Sequence, residues 1–159
     1  MDKATLLEEL SGFLTKDQIN TNYDDLYDAS ADRYKKYAKA RKVLDVPLPT
    51  AIVYPNNTEE ISKLLVFCND NRINVIPRGG KTATEGGLEN WKELTLVIDA
   101  DRLNKIIKVD EYNMQATVEA GVRLQELEDV LRARGYTTGH SPQSKPVAKF
   151  GGLVATRSI

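Results

Sequence analysis

The residues best suited to chemistry lie in one run, Pro77-Arg78-Gly79-Gly80-Lys81-Thr82-Ala83-Thr84-Glu85-Gly86-Gly87. Four glycines stand there with two cations and two threonines. Glycine lets backbone N–H groups come close to an anion, because no side chain blocks the approach. Arg78 and Lys81 add positive charge, and Thr82 and Thr84 add hydroxyl donors. The chemistry that fits is phosphate binding, where each charge-assisted hydrogen bond contributes ~1.5–3 kcal/mol. The bland alternative is a tight surface turn, but four glycines with two threonines exceed what a turn needs. Two familiar phosphate loops do not fit. Gly79-Gly80-Lys81-Thr82 looks like the end of a Walker A loop, but Val75 stands where that motif needs its first glycine, and Gly86-Gly87 disfavours the helix it needs next. The dinucleotide pattern Gly-x-Gly-x-x-Gly has no start within 79–87.

The elements around the loop predict how it is held. Ala51-Ile52-Val53-Tyr54 reads as a short apolar strand ended by Pro55. Asn57 or Thr58 caps a helix whose first turn carries Glu59 and Glu60, complementing its positive end. Ile61, Leu64, Leu65 and Cys68 then form one apolar face at i, i+3, i+4 and i+7. Cys68 on that face reads as a packed core residue rather than a nucleophile. Ile73-Asn74-Val75-Ile76 is a second strand, completing a βαβ unit with parallel strands that runs straight into the glycine-rich loop. Beyond the loop, Leu94–Ile98, Lys105–Asp110 and Met114–Glu119 read as strands, and Glu111-Tyr112-Asn113 suits a hairpin between the last two. Gly121 precedes a helix with Leu124, Leu127 and Leu131 on one face, which Gly135 stops.

At the N-terminus, residues 4–18 read as an amphipathic helix through Leu7, Leu10 and Leu14, with Gly12 weakening its second half. Residues 20–48 are polar and rich in tyrosine and read as a solvated connecting segment. Lys plus Arg is 22 and Asp plus Glu is 23, so the net charge of −1 argues against a general nucleic-acid or anionic-membrane coat. Hydrophobic residues at 41 % and charged residues at 28 % suit a soluble globular domain. One cysteine excludes an internal disulfide framework, and one cysteine with one histidine leaves little basis for a metal site. No apolar run approaches the ~20 residues of a membrane span, and Met1–Thr5 opens no secretory signal. A cytoplasmic protein is the default expectation.

The order of motifs carries a resemblance. After the Pro55 strand end and Thr-Glu-Glu-Ile helix come Pro-Arg-Gly-Gly-x-Thr, Gly-Gly, Asp-x-x-Arg-Leu-Asn (99–104) and Val118-Glu119-Ala120-Gly121-Val122. Gly139-His140-Ser141-Pro142-Gln143-Ser144 and Gly151-Gly152-Leu153-Val154-Ala155-Thr156 complete the series. Together these resemble the FAD-binding domain of the vanillyl-alcohol oxidase / p-cresol methylhydroxylase (PCMH-type) flavoproteins. The nearest branch is that of the D-lactate/glycolate dehydrogenases and alkylglycerone-phosphate synthases. The resemblance implies an α+β, PCMH-type FAD-binding fold with a βαβ unit and mixed sheet. It implies an N-terminal segment (1–48), a first FAD-binding subdomain (49–137) and the start of a second (138–159). The loop Arg78, Gly79, Gly80, Lys81, Thr82, Ala83, Thr84, Gly86 and Gly87 would hold the FAD diphosphate. Pro142 and Ser144 would run beside the flavin, and Gly151, Gly152, Ala155 and Thr156 would form a second contacting stretch. Thr82 stands where some members attach flavin covalently through histidine, so the flavin is expected to be non-covalent. His140 is a cofactor-wall or structural residue, or a base; no catalytic residue is assigned.

Lys81 departs from the family, which has a small residue there. A positive φ at that position would strain lysine; alternatively its amine adds charge near the diphosphate. The sequence also ends inside a motif that continues in the family, and the substrate-binding domain lies beyond. The expectation is the N-terminal piece of an FAD-linked oxidoreductase acting on a small hydroxy acid or related substrate, inactive alone. The competing reading is a stand-alone FAD-binding or assembly module that pairs with another chain or with itself, through an exposed sheet edge.

Overall fold

The computed structural model describes residues 1–32 and 46–158. They form two compact units: unit 1 from Met1–Arg78 and Ala83–Asp99, unit 2 from Gly79–Thr82 and the chain from Ala100 onward.

In unit 1, Asp2 accepts from the Thr5 N–H (2.8 Å) and caps α1 (Lys3–Ser11), whose Leu6 and Leu10 are fully buried. The expected single helix over 4–18 breaks at Gly12; Lys16–Gln18 is a separate 3-10 turn and Leu14 packs from the loop between them. Strand β1 (Ile19–Asn20) follows, and then α2 (Tyr23–Ala29), capped by Asn22 accepting from Asp24 and Asp25 N–H. This corrects the solvated reading of that segment over 23–32. Leu26, Ala29, Ser30, Ala31 and Asp32 are buried, because one short turn suffices to bury two apolar side chains once a sheet lies beneath. Residues 33–45 of that segment, Arg33, Tyr34, Lys35, Lys36 and Tyr37 among them, lie outside the described residues.

Strand β2 (Ala51–Val53) is wholly buried. Helix α3 (Thr58–Asp70) begins at Asn57, whose Oδ1 accepts from the Glu60 N–H at 2.9 Å. Strands β3 (Asn74–Arg78) and β4 (Thr95–Asp99) complete a mixed sheet ordered β1-β2-β4-β3. The strands flanking α3 are parallel as expected, but β4 lies between them and pairs with both. The period of two sends side chains to opposite faces. Ala51, Val53, Leu96 and Ile98 meet α1 and α3 on one face, and Ile52, Ile76 and Val97 meet Leu26 and Ala29 on the other. Cys68 is buried in the first cluster, where desolvation pushes its thiol up to about 11.

In unit 2, β5 (Ile106–Asp110) and β6 (Gln115–Val118) form the expected antiparallel hairpin, bulged between Ile106 and Lys108. Its turn is held by the Asn113 N–H donating to Asp110 Oδ1 at 3.0 Å, with Met114 at φ +54°. Helix α4 (Leu124–Arg132) buries Leu124, Leu127 and Leu131, and Gly135 at φ +82° follows it. Val122, Leu127 and Leu131 gather Ile106, Val118, Tyr136 and Phe150 into a core. A last helix, α5 (Phe150–Ala155), spans the Gly151-Gly152 pair, where the sequence pattern predicts none. Among the described residues, no helix is long and apolar enough to cross a membrane.

The apolar face of α3 is narrower than its spacing predicts: Leu64 is 0 % exposed, whereas Leu65 is 47 % exposed. Leu64→Ala is therefore expected to cost ~2–5 kcal/mol. Leu65→Ala should change stability by only a few tenths up to about 0.5 kcal/mol. Denaturant unfolding of the two variants checks the contrast.

Candidate functional site

Strands β3 and β4 end on a charged pair. Arg78 and Asp99 are register partners, and Arg78 Nε donates to Asp99 Oδ2 at 2.5 Å, with side chains 3 % and 1 % exposed. Arg78 Nη2 also lies 3.4 Å from the Tyr54 hydroxyl. A guanidinium so far from water needs such a partner, and here Asp99 supplies it within unit 1. Also in unit 1, the Gly86 N–H donates to Oδ2 of the buried Asp32 at 2.5 Å. Gly86 sits at φ +85°, and Ala83 packs on the Ile52 cluster. Thr84 and Gly87 are exposed. The main-chain N–H groups of Ala83 and Thr84 donate to no described residue.

Unit 2 brings Gly79–Thr82 against residues 147–149. A Cβ on Gly80 would collide with the Val147 carbonyl and lie 2.9 Å from Ala148 Cα. A Cβ on Gly79 would touch Lys149 Cβ at 3.5 Å. Only glycine permits the closer of these approaches. Lys81 adopts φ +58°, the positive value that its departure from the family raised as a question. The N–H groups of Gly80 and Thr82 donate to no described residue. The Val147 and Ala148 N–H groups donate to the Ser144 carbonyl at 2.9 and 2.8 Å, and Lys145 N–H donates to the Pro142 carbonyl at 2.9 Å. Pro142 and Ser144 are thus joined to the glycine pair through two consecutive turns. The Gly151 N–H donates to the Ala120 carbonyl at 2.8 Å, and a Cβ on Gly151 would meet that of Ala120 at 3.0 Å. Gly152 faces open space; Ala155 and Thr156 are exposed at the end of α5. His140 Nε2 lies 3.2 Å from Ser158 Oγ.

Unit 2 therefore gathers Gly79, Gly80, Lys81, Thr82, Pro142, Ser144, Gly151, Gly152, Ala155 and Thr156. Arg78, Ala83, Thr84, Gly86 and Gly87 belong to unit 1. Sequence reasoning missed several supports: Asp32 on Gly86, Asp99 on Arg78, and the buried Lys149 paired with Asp101. It also missed Glu128, 1 % exposed on the inner face of α4. A signal existed for Glu128: it takes the i+4 place in the Leu124, Leu127, Leu131 stripe, where an apolar residue is expected.

Glu128 accepts from the Thr138 hydroxyl and N–H (both 2.6 Å), from Thr137 Oγ1 (3.0 Å) and from Arg132 Nε (3.0 Å). The Thr138 hydroxyl and its companions outweigh desolvation and hold the carboxyl down at about 2, from an ordinary 4.5. A depressed carboxylate stabilises the fold above its unfolded value and loses that contribution as pH falls through the folded one. Stability is therefore expected to decline between pH 4.5 and about 2, and a Glu128→Gln chain should show a flatter decline there in denaturant unfolding. A second expectation concerns the glycine contact. Gly80→Ala must displace the Val147 carbonyl, and thermal unfolding should register a loss of about 1–3 kcal/mol.

Residues 49–159 match the family described as the FAD binding domain. Over all of its length the chain is 45 % identical to the uncharacterized FAD-linked oxidoreductase YgcU of Escherichia coli (strain K12), of which it covers 33 %. Over 87 % of its length it is 30 % identical to the mitochondrial D-lactate dehydrogenase [cytochrome] 1 of Saccharomyces cerevisiae, covering 26 % of that protein. A solved structure of an alkyldihydroxyacetonephosphate synthase superposes on 99 % of the chain with a TM-score of 0.89, at 28 % identity and 32 % coverage of that enzyme. The chain thus spans about a third of the length of such relatives. The fold is that of one branch named by the sequence resemblance, so the expected PCMH-type FAD-binding fold is the one present. A matched family covering most of the chain and the shared fold lead to one conclusion: this chain belongs to the FAD binding domain family, and its cofactor is FAD.

Proposed function

We propose that this chain is the flavin-holding part of an FAD-linked oxidoreductase that oxidises a small hydroxy acid or a related substrate. The single observation that carries the reading lies in unit 2: Gly80 presses on the Val147 carbonyl while the N–H groups of Gly80 and Thr82 donate to no described residue. Such a cradle suits a diphosphate, and Lys81 adds a cation beside it. When bound, FAD supplies the electron-accepting ring, and the protein's part is to bind and orient it.

The assignments follow residue by residue. Gly79–Thr84, Gly86 and Gly87 hold the diphosphate through main chain and hydroxyls. Arg78 serves that loop by fixing its first residue through Asp99. Pro142 and Ser144 flank the flavin, and Gly151, Gly152, Ala155 and Thr156 give it a small-residue wall. Thr82 offers no histidine nitrogen, so the flavin is held without a covalent bond. In this reading residues 1–48 are an N-terminal segment, 49–137 the first FAD-binding subdomain and 138–159 the start of the second. The hydroxy-acid class is supported by the likeness to a protein named D-lactate dehydrogenase. The substrate pocket lies outside these residues, the chain alone does not turn over, and the protein works in the cytoplasm.

Gly152 supplies the test. Nothing lies within 4 Å of a Cβ there, and alanine favours a helix over glycine by about 1 kcal/mol. Gly152→Ala should leave the flavin-free protein at least as stable. If the flavin lies against this glycine, the variant should lose FAD on desalting more readily than wild type, read by flavin absorption. Equal retention of FAD by the variant and a wild type that holds it would remove Gly152 from the site. A wild type in its full natural length that holds no FAD would sink the reading.

A further inference from the structure

The segment from Thr137 to Lys145 contains both residues placed beside the flavin, yet it has almost no core of its own. Thr137, Thr138, Gly139, Ser141 and Gln143 are exposed, and His140, Pro142 and Ser144 are only half-buried. Gly139 at φ +72° faces open space. Burial therefore does not set where this turn lies; its ends must. Both ends converge on one buried carboxylate. At the entry, Glu128 Oε1 accepts from the Thr138 N–H and hydroxyl, each at 2.6 Å, and from Thr137 Oγ1 at 3.0 Å. At the exit, Lys145 Nζ lies 3.4 Å from Glu128 Oε2. The Lys145 carbonyl also accepts from the Gln125 N–H of the same helix at 3.3 Å. Arg132 covers the outer side of Oε2 at 3.0 Å, with its side chain 63 % exposed.

We infer that Glu128 is a positioning residue for the cofactor: from the rigid helix α4 it clamps both ends of the 138–144 turn and so sets the height of Pro142 and Ser144 against the flavin. This rests on the flavin reading above. The carboxylate is suited to the task because it accepts only, and every group facing it at the turn donates. An amide in its place turns one acceptor into a donor against those donors, and a buried donor left unmatched is costly.

The test uses the full natural-length flavoprotein for FAD and this chain for the turn. His140 is the one histidine of the chain, so its imidazole proton resonances report the turn without any flavin. Glu128→Gln is the direct variant. Thr138→Val, an exposed isosteric change, is the second variant should the first unfold. Both should shift the His140 resonances, weaken FAD by about tenfold and displace the visible flavin bands. Arg132→Ala, which touches the carboxylate only from its outer side, should leave all three unchanged. Folded variants with wild-type His140 resonances, or with wild-type FAD affinity and flavin bands, overturn the inference. A wild-type protein that binds no FAD, with His140 still shifting in the variants, overturns the flavin reading instead and takes the cofactor role of Glu128 with it.

Discussion

The buried pair of Arg78 and Asp99 is the constraint on which the arrangement of this chain turns. The two residues are opposite one another at the ends of adjacent parallel strands, almost wholly removed from water. Removing either would leave an uncompensated charge in the interior, so the strands must end in that register. The consequence is topological. The residue after Arg78 is Gly79 and the residue after Asp99 is Ala100, and both begin stretches of unit 2. Each departure of the chain from unit 1 therefore leaves from this pair. The glycine loop starts at a fixed point because its first residue is held by charge.

Beyond that point the loop is shaped by close backbone approach rather than by side-chain packing. Gly80 lies on the Val147 carbonyl and Gly121 lies on the Ala100 and Leu103 carbonyls. These contacts bring main chain to main chain: the Gly121 N–H donates to the Leu103 carbonyl at 2.7 Å, whereas the Gly80 N–H donates to no described residue. In the proposed reading the diphosphate is held by main-chain amides, so Lys81 can be exposed and still suit the loop. The cost is a non-glycine residue in the left-handed region, about 1–2 kcal/mol by chirality alone. Strain of this kind concentrates where a site must keep its form.

Acidic side chains provide the second tier of order. Asp32 fixes Gly86, Asp99 fixes Arg78, Asp101 pairs with Lys149, and Glu128 gathers the turn that follows α4. Three of the four are buried. With a net charge near zero overall, the protein uses these carboxylates internally, at the ends of loops, and not as a surface field. Unit 1 owes its cohesion to a sheet covered on both faces, unit 2 to a smaller core of Val122, Leu127 and Leu131 under a hairpin.

Much of this was legible in the residues themselves. The Asn57 cap, the leucine stripe of α4, the hairpin and the glycine loop are local: hydrophobic period, capping side chains and glycine content specify them without distant partners. So too was the family, since ordered motifs need no coordinates. What stayed hidden depends on what lies across the fold. Helix α2 has too few apolar residues to announce itself, and β1 is two residues long. Helix α5 forms across two glycines because its first N–H groups find the Val122 and Ala120 carbonyls. The place of β4 between β2 and β3, the exposure of Leu65 and the burial of Arg78, Glu128 and Lys149 were decided only by tertiary structure. In sequence a charge reads as surface, and only packing reveals that its partner is buried with it.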